Sequence, residues 1–378
     1  MKNFPLLLNV VGEDGINIKK SIEKWVTNVI IQNRTKIRGD SNKYREIMEQ
    51  LSVELDIYQL FFYTENEELV SSESFSKFLS LIYEEVAVGN LGISFLSGLN
   101  VIAIDTIINL QNKNLLNKEI SCVIEVINYE KSKNISLILP DIIEKEGEYD
   151  SSYIPLNSGC DSDIIFLFTE RDKRKFLFIG DRDKLSVNLG SNIKNTGMII
   201  NNNCVLELRD IKFNDNDFIE VSDEIYGDFI SKLYLLSAAV STGALLGAYK
   251  ILYDWVNNRV IKDGRLIKKN GLVQKILGDI AVNITTSRVL LYNFADALDT
   301  PENYSLKTLN EKVNFYKSNY IKIMDMSFES VDRAIELMAS AGYAKEWDIE
   351  EYWRDTRTLR SVMGGVVGDV ITISKEYF

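Results

Sequence analysis

Ala341-Gly342-Tyr343, then Arg354-Asp355, then Gly364-Gly365 punctuate the last part of the chain. Small residues let a backbone approach a ligand closely, and an arginine supplies planar, charge-assisted donors. The residue directly before the glycine pair is Met363, whose thioether offers no group for acid-base work. What these residues do depends on the elements that lead to them.

Upstream of this stretch the pattern is helical back to Ser222. The spacing of apolar residues predicts long helices at about 223–260, 269–298, 303–324 and 328–343. Ser222 or Asp223 can cap the first, with Glu224 and Asp228 near its positive end. Asp299-Thr300-Pro301 marks a break. Ser305 reads as the cap of the third helix, and Ser327 or Ser330 as the cap of the fourth. Between about Lys118 and Val221 the chain changes to short β-rich runs separated by Asn- and Asp-rich turns: Ile120 to Ile127, Ile164 to Phe168, Lys175 to Ile179 and Cys204 to Leu208. The part before that is helical again. Ile18, Ile22, Trp25, Val26 and Ile30 fall at helical spacing, and Val86 to Leu110 is rich in the small residues of a closely packed helix. The expected class is α+β: an N-terminal helical domain (1–117), a middle antiparallel β domain (118–221) and a C-terminal four-helix bundle (222–378).

Composition narrows the chemistry. The chain of 378 residues has no histidine, which excludes Ser-His-Asp and Cys-His catalysis and every His-ligated metal site. Acid-base work therefore falls to Asp, Glu, Tyr, Lys, Cys, the backbone or a cofactor. The three cysteines, Cys122, Cys160 and Cys204, are too widely spaced for a zinc signature, and their odd number argues against a disulfide framework. The net charge of -12 and the absence of a dense basic run argue against nucleic acid as a partner. Only four prolines occur, so long helices are permitted. Leu233 to Val256 could be mistaken for a membrane span, but Lys250, Asp254 and many small residues read as a helix buried in a bundle. The first residues have neither the length nor the cleavage site of a signal peptide, and the default location is cytoplasmic.

The order of domains and four stretches resemble the acyl-CoA dehydrogenase family. Trp255-Val256-Asn257-Asn258-Arg259, Gly264-Arg265-Leu266-Ile267 and Gly271-Leu272-Val273-Gln274-Lys275-Ile276-Leu277-Gly278-Asp279 are similar to the family's aromatic, Arg, "FG-x-x-I" turn and "Q-x-V-Q-x-x-L-A-D" helix, with one extra residue in the turn. Glu336-Leu337-Met338-Ala339-Ser340-Ala341-Gly342-Tyr343 resembles "Q-x-x-G-G-x-G-[YF]", with Glu for Gln and Ala and Ser for the first glycines. Arg354-Asp355-Thr356-Arg357 resembles "R-D-x-[RK]", and Leu206 to Ile211 a strand that ends the family's β domain. The resemblance implies FAD as cofactor, with Arg259, Gln274, Ser340, Gly342, Gly364 and Gly365 as cofactor-binding candidates. In the family the Arg and the glycine-rich turn reach FAD across a subunit interface, which implies a homodimer or homotetramer. Read without the resemblance, Arg259 is a solvated helix-end residue, Ser340 and Gly342 form a helix C-cap, and Arg354-Asp355 is a structural ion pair.

The departures from the family concern chemistry. The common position of its catalytic glutamate falls on Met363, and a second known position falls near Leu233 and Tyr234. Asp369, Glu346 and Asp348 are the nearby carboxylates, and each reads more readily as a surface residue. Cys122 to Tyr129 stands where most relatives carry a "T-E-P-x-x-G-S-D" flavin loop. Beside an ordinary acyl-CoA dehydrogenase with its base at a shifted position, three readings stay open. One is a flavin dehydrogenase acting on an acyl or aminoacyl thioester of a carrier protein or CoA in a biosynthetic pathway. Another is a flavin-dependent monooxygenase on the same fold. The last is a catalytically degenerate subunit that supports a paralogous partner in a hetero-oligomer.

Overall fold

The computed structural model describes residues 8–37, 41–62, 74–116, 135–139, 152–153, 160–182, 188–207 and 218–377. Its N-terminal helices are α1 (Leu8–Trp25), α2 (Arg34–Ile37), α3 (Ser41–Glu49), α4 (Ile57–Phe62), α5 (Phe75–Gly89) and α6 (Leu91–Asn112). A π-helical turn, Val26–Ile30, carries the α1 pattern onward. It keeps Ile22, Val26 and Ile30 buried while Ile18 and Trp25 pack at the margin. The small-residue run expected as one helix is divided at Asn90. That residue is extended (φ -156°), and its side chain caps α6 by accepting from the Ile93 N–H at 2.9 Å.

Strands β1 (Ile135–Ile138), β3 (Ile164–Arg171), β4 (Arg174–Asp181) and β7 (Phe218–Val221) form a sheet in the order β1-β3-β4-β7. A second sheet has the order β2-β6-β5, from β2 (Ser152–Tyr153), β5 (Asn188–Ile193) and β6 (Asn203–Glu207). The described pairings are antiparallel, as expected, except β1–β3, which is parallel. β3 and β4 are joined through Asp172 and Lys173, both with positive φ, the backbone that a tight, right-twisted hairpin requires. Residues Cys122 to Tyr129, the expected place of the flavin loop, lie outside the described residues, as do the end of the Leu206–Ile211 stretch and the expected first domain boundary.

The rest of the chain is α7 (Asp223–Asn258), α8 (Gly271–Asp299), α9 (Leu309–Met338), α10 (Ile349–Leu359) and α11 (Val366–Tyr377). Ser222 caps α7, accepting from the Ile225 N–H at 3.3 Å. The third and fourth expected helices are in fact one continuous helix, α9. Ser327 and Ser330 are buried in its middle, and its cap is Thr308, reciprocated by Glu311 in a capping box. Ser305 sits four residues before the helix and ends the short turn Pro301–Tyr304. The fourth helical position of the bundle is filled by α10 and α11.

The buried core runs through α5, α6 and α7. α7 passes so close to α5 that a Cβ on Gly243 would lie 2.0 Å from the Glu84 carbonyl oxygen, which explains the small residues in its middle. The most apolar windows of α6 and α7 are each 89% buried inside the protein. These helices owe their hydropathy to a central place in the fold. The β3 face docks on the N-terminal half of α7, with the Phe168 and Phe229 rings 4.8 Å apart. α8 runs antiparallel to α9: Tyr316 near the start of α9 donates to the Ala297 carbonyl near the end of α8, and Asn283 donates to Ser330. Gly227 and Leu309, both near helix starts, lie in contact, so α7 and α9 run parallel. The C-terminal ends of α7 and α9 and the N-terminal end of α8 therefore share one end of the bundle.

Candidate functional site

Met363 lies in the turn between α10 and α11 with φ 66°, followed by Gly365 with φ 84°. Its side chain packs against the core. One residue pattern further on, α11 directs Val366 and Asp369 inward and leaves Val367, Val370 and Ile371 exposed. Asp369 is thus 6% exposed, which corrects its reading as a surface residue. Its Oδ1 accepts from the Tyr234 hydroxyl at 3.0 Å and is ion-paired with Lys317 Nζ at 3.2 Å. Oδ2 is buried and has no hydrogen-bond partner among the described residues. The Lys317 ammonium lies over the Tyr234 ring at 5.6 Å, and the Tyr320 ring packs against Tyr234 at 4.8 Å. Burial and the adjacent Asp369 carboxylate push the Tyr234 hydroxyl well above its ordinary pKa, so it stays a donor.

Tyr234 stands beside Leu233, the second place where the sequence left the base position without a carboxylate. The fold thus places Asp369, six residues after Met363, in one buried cluster with Tyr234 and Lys317. Glu346 is exposed, as expected of a surface residue. Asp348 is half-buried and pairs with Arg34 at 3.5 Å.

A cavity of about 590 Å³ opens one helical turn away along α7 and α9. Its wall combines Phe75 and Tyr316 with Asp105, Lys232 and Asp299. Lys232 is bonded to Asp105 and Asp228, both at 2.7 Å. Burial works against its charge, but the two carboxylates prevail and raise its pKa. Burial likewise raises Asp105, opposed by Lys232. Asp299 is pushed up to about 6 by burial, although it accepts the backbone N–H groups of Ser76 at 2.8 Å and Lys77 at 3.1 Å. It thereby caps α5, whose own N-cap Ser74 makes no side-chain cap bond. Nothing local in the sequence announces this cap, because its donors lie 222 and 223 residues away.

Arg354 and Asp355 are not an ion pair with each other. Arg354 binds Glu350 at 2.6 Å and donates to the Thr196 carbonyl at 2.6 Å. Asp355 accepts the Met198 N–H at 2.6 Å. Burial and the nearby Glu351 raise its carboxyl to about 7. Together they clamp the segment before β6 onto α10. The approach is close enough that a Cβ on Gly197 would sit 2.1 Å from the Arg354 oxygen.

The six cofactor candidates fall into two groups. Gly364 and Gly365 directly follow Met363. Arg259, Gln274 and Ser340 are exposed at the shared far end of the bundle, with Gly342 buried behind them. From Tyr234 to Arg259 α7 rises about 37 Å at 1.5 Å per residue. The two groups therefore do not converge within one chain. The Arg259 carbonyl accepts from the Ile267 N–H at 2.9 Å, while its guanidinium makes no ion pair among the described residues.

Comparison with known proteins agrees with this architecture. Residues 235–366 match the family model of the acyl-CoA dehydrogenase, C-terminal domain. A curated relative, the caffeyl-CoA reductase-Etf complex subunit CarC of Acetobacterium woodii, is 23% identical over 214 residues, covering 55% of this chain and 54% of that protein. The chain thus spans about half the length of the curated relative it matches. The butyryl-CoA dehydrogenase of Megasphaera elsdenii superposes with a TM-score of 0.77 at 15% identity, over 100% of both chains. A glutaryl-CoA dehydrogenase of Mycobacterium smegmatis in complex with FADH2 superposes with a TM-score of 0.78 at 10% identity, over 98% of this chain and 96% of that one. The chain has the acyl-CoA dehydrogenase fold. The match to the family model lies in the C-terminal helices, over residues 235–366.

Proposed function

We propose that this chain is an FAD-dependent oxidoreductase that dehydrogenates an acyl or aminoacyl thioester, with Asp369 taking over the role of the glutamate that Met363 replaces. The observation that carries the reading is the buried Asp369 carboxylate behind the Met363 turn, with one oxygen held by Tyr234 and Lys317 and the other without a partner among the described residues. A carboxylate fixed at one oxygen and unpartnered at the other is suited to receive a proton. Lys317 and Tyr234 fix its orientation.

The residues present fit the cofactor. Arg259, Gln274 and Ser340 are solvent-facing donors, and the Arg259 guanidinium has no competing carboxylate among the described residues. These groups suit a pyrophosphate. They lie far from the Met363 turn, so they serve the site of a second subunit, and Gly364 and Gly365 serve the site of their own. When bound, the flavin supplies hydride-accepting capacity.

A polar acyl group is favoured over a plain alkyl chain, because the cavity next to Tyr316 is walled by Asp105, Lys232 and Asp299. The thioester resides on a carrier protein or on CoA. The outward-facing donor set also favours a second reading, in which this chain completes the flavin site of a paralogous partner. The test is to purify the chain, record its visible spectrum, and mix it with aminoacyl and acyl thioesters of carrier protein and CoA. Bound flavin that bleaches, with a substrate lighter by two hydrogens, is the expected result. A colourless chain that turns yellow only with a co-expressed paralogue selects the second reading. A yellow chain that bleaches with no thioester and instead consumes oxygen selects the monooxygenase.

A further inference from the structure

The β5–β6 ladder sets Asn192 directly opposite Cys204. Cys204 is fully buried, and Cys160 is half-buried and packs against the same apolar cluster. Cys160 is fixed there by two bonds of its own. Its N–H donates to the Asn202 carbonyl at 3.1 Å, two residues before Cys204. Its thiol donates to Asn192 Oδ1 at 3.3 Å, on the residue that faces Cys204 across the ladder. This bond brings the Cys160 thiol to the residue that is paired with Cys204. Two thiols 44 residues apart in sequence thus share one small cluster, and neither belongs to the site described above.

We propose that Cys160 and Cys204 are a redox modification site, closing to a disulfide when a small disulfide such as glutathione disulfide reaches Cys160. The Cys160 thiolate attacks one sulfur of glutathione disulfide. A Cys160–glutathione bond forms, the oxidant's S–S bond breaks, and one glutathione leaves and takes up a proton. Cys204 then attacks the Cys160 sulfur of that mixed disulfide. The Cys160–Cys204 bond forms, the second glutathione leaves, and the Cys204 proton goes to it. Both protein sulfurs are oxidised and two glutathiones are produced, so atoms and electrons balance.

Exposure assigns the order of events. Cys160 is the thiol that solvent reaches, and the Arg182 guanidinium donates to its carbonyl at 2.8 Å. Cys204 is the resolving thiol. Burial, reinforced by the Cys160 neighbour, pushes it up to about 12, so ring closure is slower than the first attack. The consequence for the fold is local. The bond would tie the chain before β3 to the start of β6, next to the Met198–Asn202 segment that Asp355 clamps onto α10.

The experiment treats the full chain with glutathione disulfide, blocks remaining thiols with iodoacetamide and maps the peptides by mass spectrometry. The expected product is lighter by two hydrogens, carries a dithiothreitol-reversible Cys160–Cys204 cross-link, and retains one alkylatable thiol of three. Cys204→Ala should instead accumulate the glutathione adduct on Cys160. A wild-type chain that stops at a stable Cys160 adduct, cross-links through Cys122, or keeps all thiols alkylatable overturns the proposal. The wild-type map decides even where the variant folds poorly.

Discussion

The Tyr234 hydroxyl donates to Asp369 Oδ1 across 3.0 Å, joining α7 to the helix that follows Met363. The bond links the helix bearing one unfilled base position to the helix that follows the other. A carboxylate used only to pin α11 and one used to move a proton predict different variants. Asp369→Asn keeps shape and most of the packing. If Asp369 is the base, kcat should fall about 100-fold or more, with flavin content and melting temperature little changed. Tyr234→Phe should reduce kcat less, since Lys317 still holds the carboxylate. Loss of thermal stability with unchanged kcat in Asp369→Asn would leave the residue a purely structural role.

The C-terminal sequence showed some of this and hid the rest for identifiable reasons. Ser222 is legible as a cap because its function is local. The Thr308–Glu311 capping box is equally local, yet Ser305 competes with it for the start of the helix, and Ser327 and Ser330 mimic the start of a further one. Serine tolerates a helix interior when buried against neighbours, so a serine alone does not mark a start. Asp369 was hidden because α11 turns its more apolar face, Val367, Val370 and Ile371, outward. Periodicity therefore points the wrong face inward for a single chain. The split of the cofactor candidates between two ends follows from how α7, α8 and α9 run, a long-range property that no motif carries.

Ala339 occupies φ 51°, ψ -132° as α9 ends, a region that glycine enters freely and an L side chain does not. The residue is exposed, so little packing is at stake. Strain relief of roughly 1–3 kcal/mol exceeds the added unfolded-state entropy of glycine, which is about 0.4–1 kcal/mol. Ala339→Gly should therefore stabilise the chain by about 1 kcal/mol, read as a higher denaturant midpoint at unchanged slope. A lower midpoint would show that the methyl group makes contacts the geometry does not reveal.

Asp299 gives a pH-dependent signature. Its carboxyl rises from 3.8 to about 6 because burial outweighs the Ser76 and Lys77 donors. Between those values the folded chain binds more protons than the unfolded chain. Its contribution to stability therefore falls as pH rises through the window, and the penalty is complete above about 6. Asp299→Asn still accepts one N–H bond but has no proton to lose. Relative to wild type it should gain about 2 kcal/mol between roughly pH 4 and pH 7, after discounting for partial exposure. Urea titrations of both proteins across that range measure the difference. A gap that stays constant with pH would mean Asp299 titrates normally.

Arg259 and Asp369 should act in different subunits. Arg259→Ala should lose flavin while keeping its helical circular dichroism, because its guanidinium supports no described contact. Asp369→Asn should bind flavin but turn over slowly. Each variant alone is defective at every site. In a two-fold dimer that contains one of each, one site receives Arg259 from the Asp369→Asn chain and Asp369 from the Arg259→Ala chain. That site is intact, and the other carries both lesions. Random reassortment makes half the dimers mixed with one good site in each, so equal mixing should restore about a quarter of wild-type activity. The measurement is turnover after co-refolding the two variants, with each refolded alone as the baseline. Activity no greater than the sum of the separate variants would place both residues in one chain's site and remove the subunit-spanning arrangement.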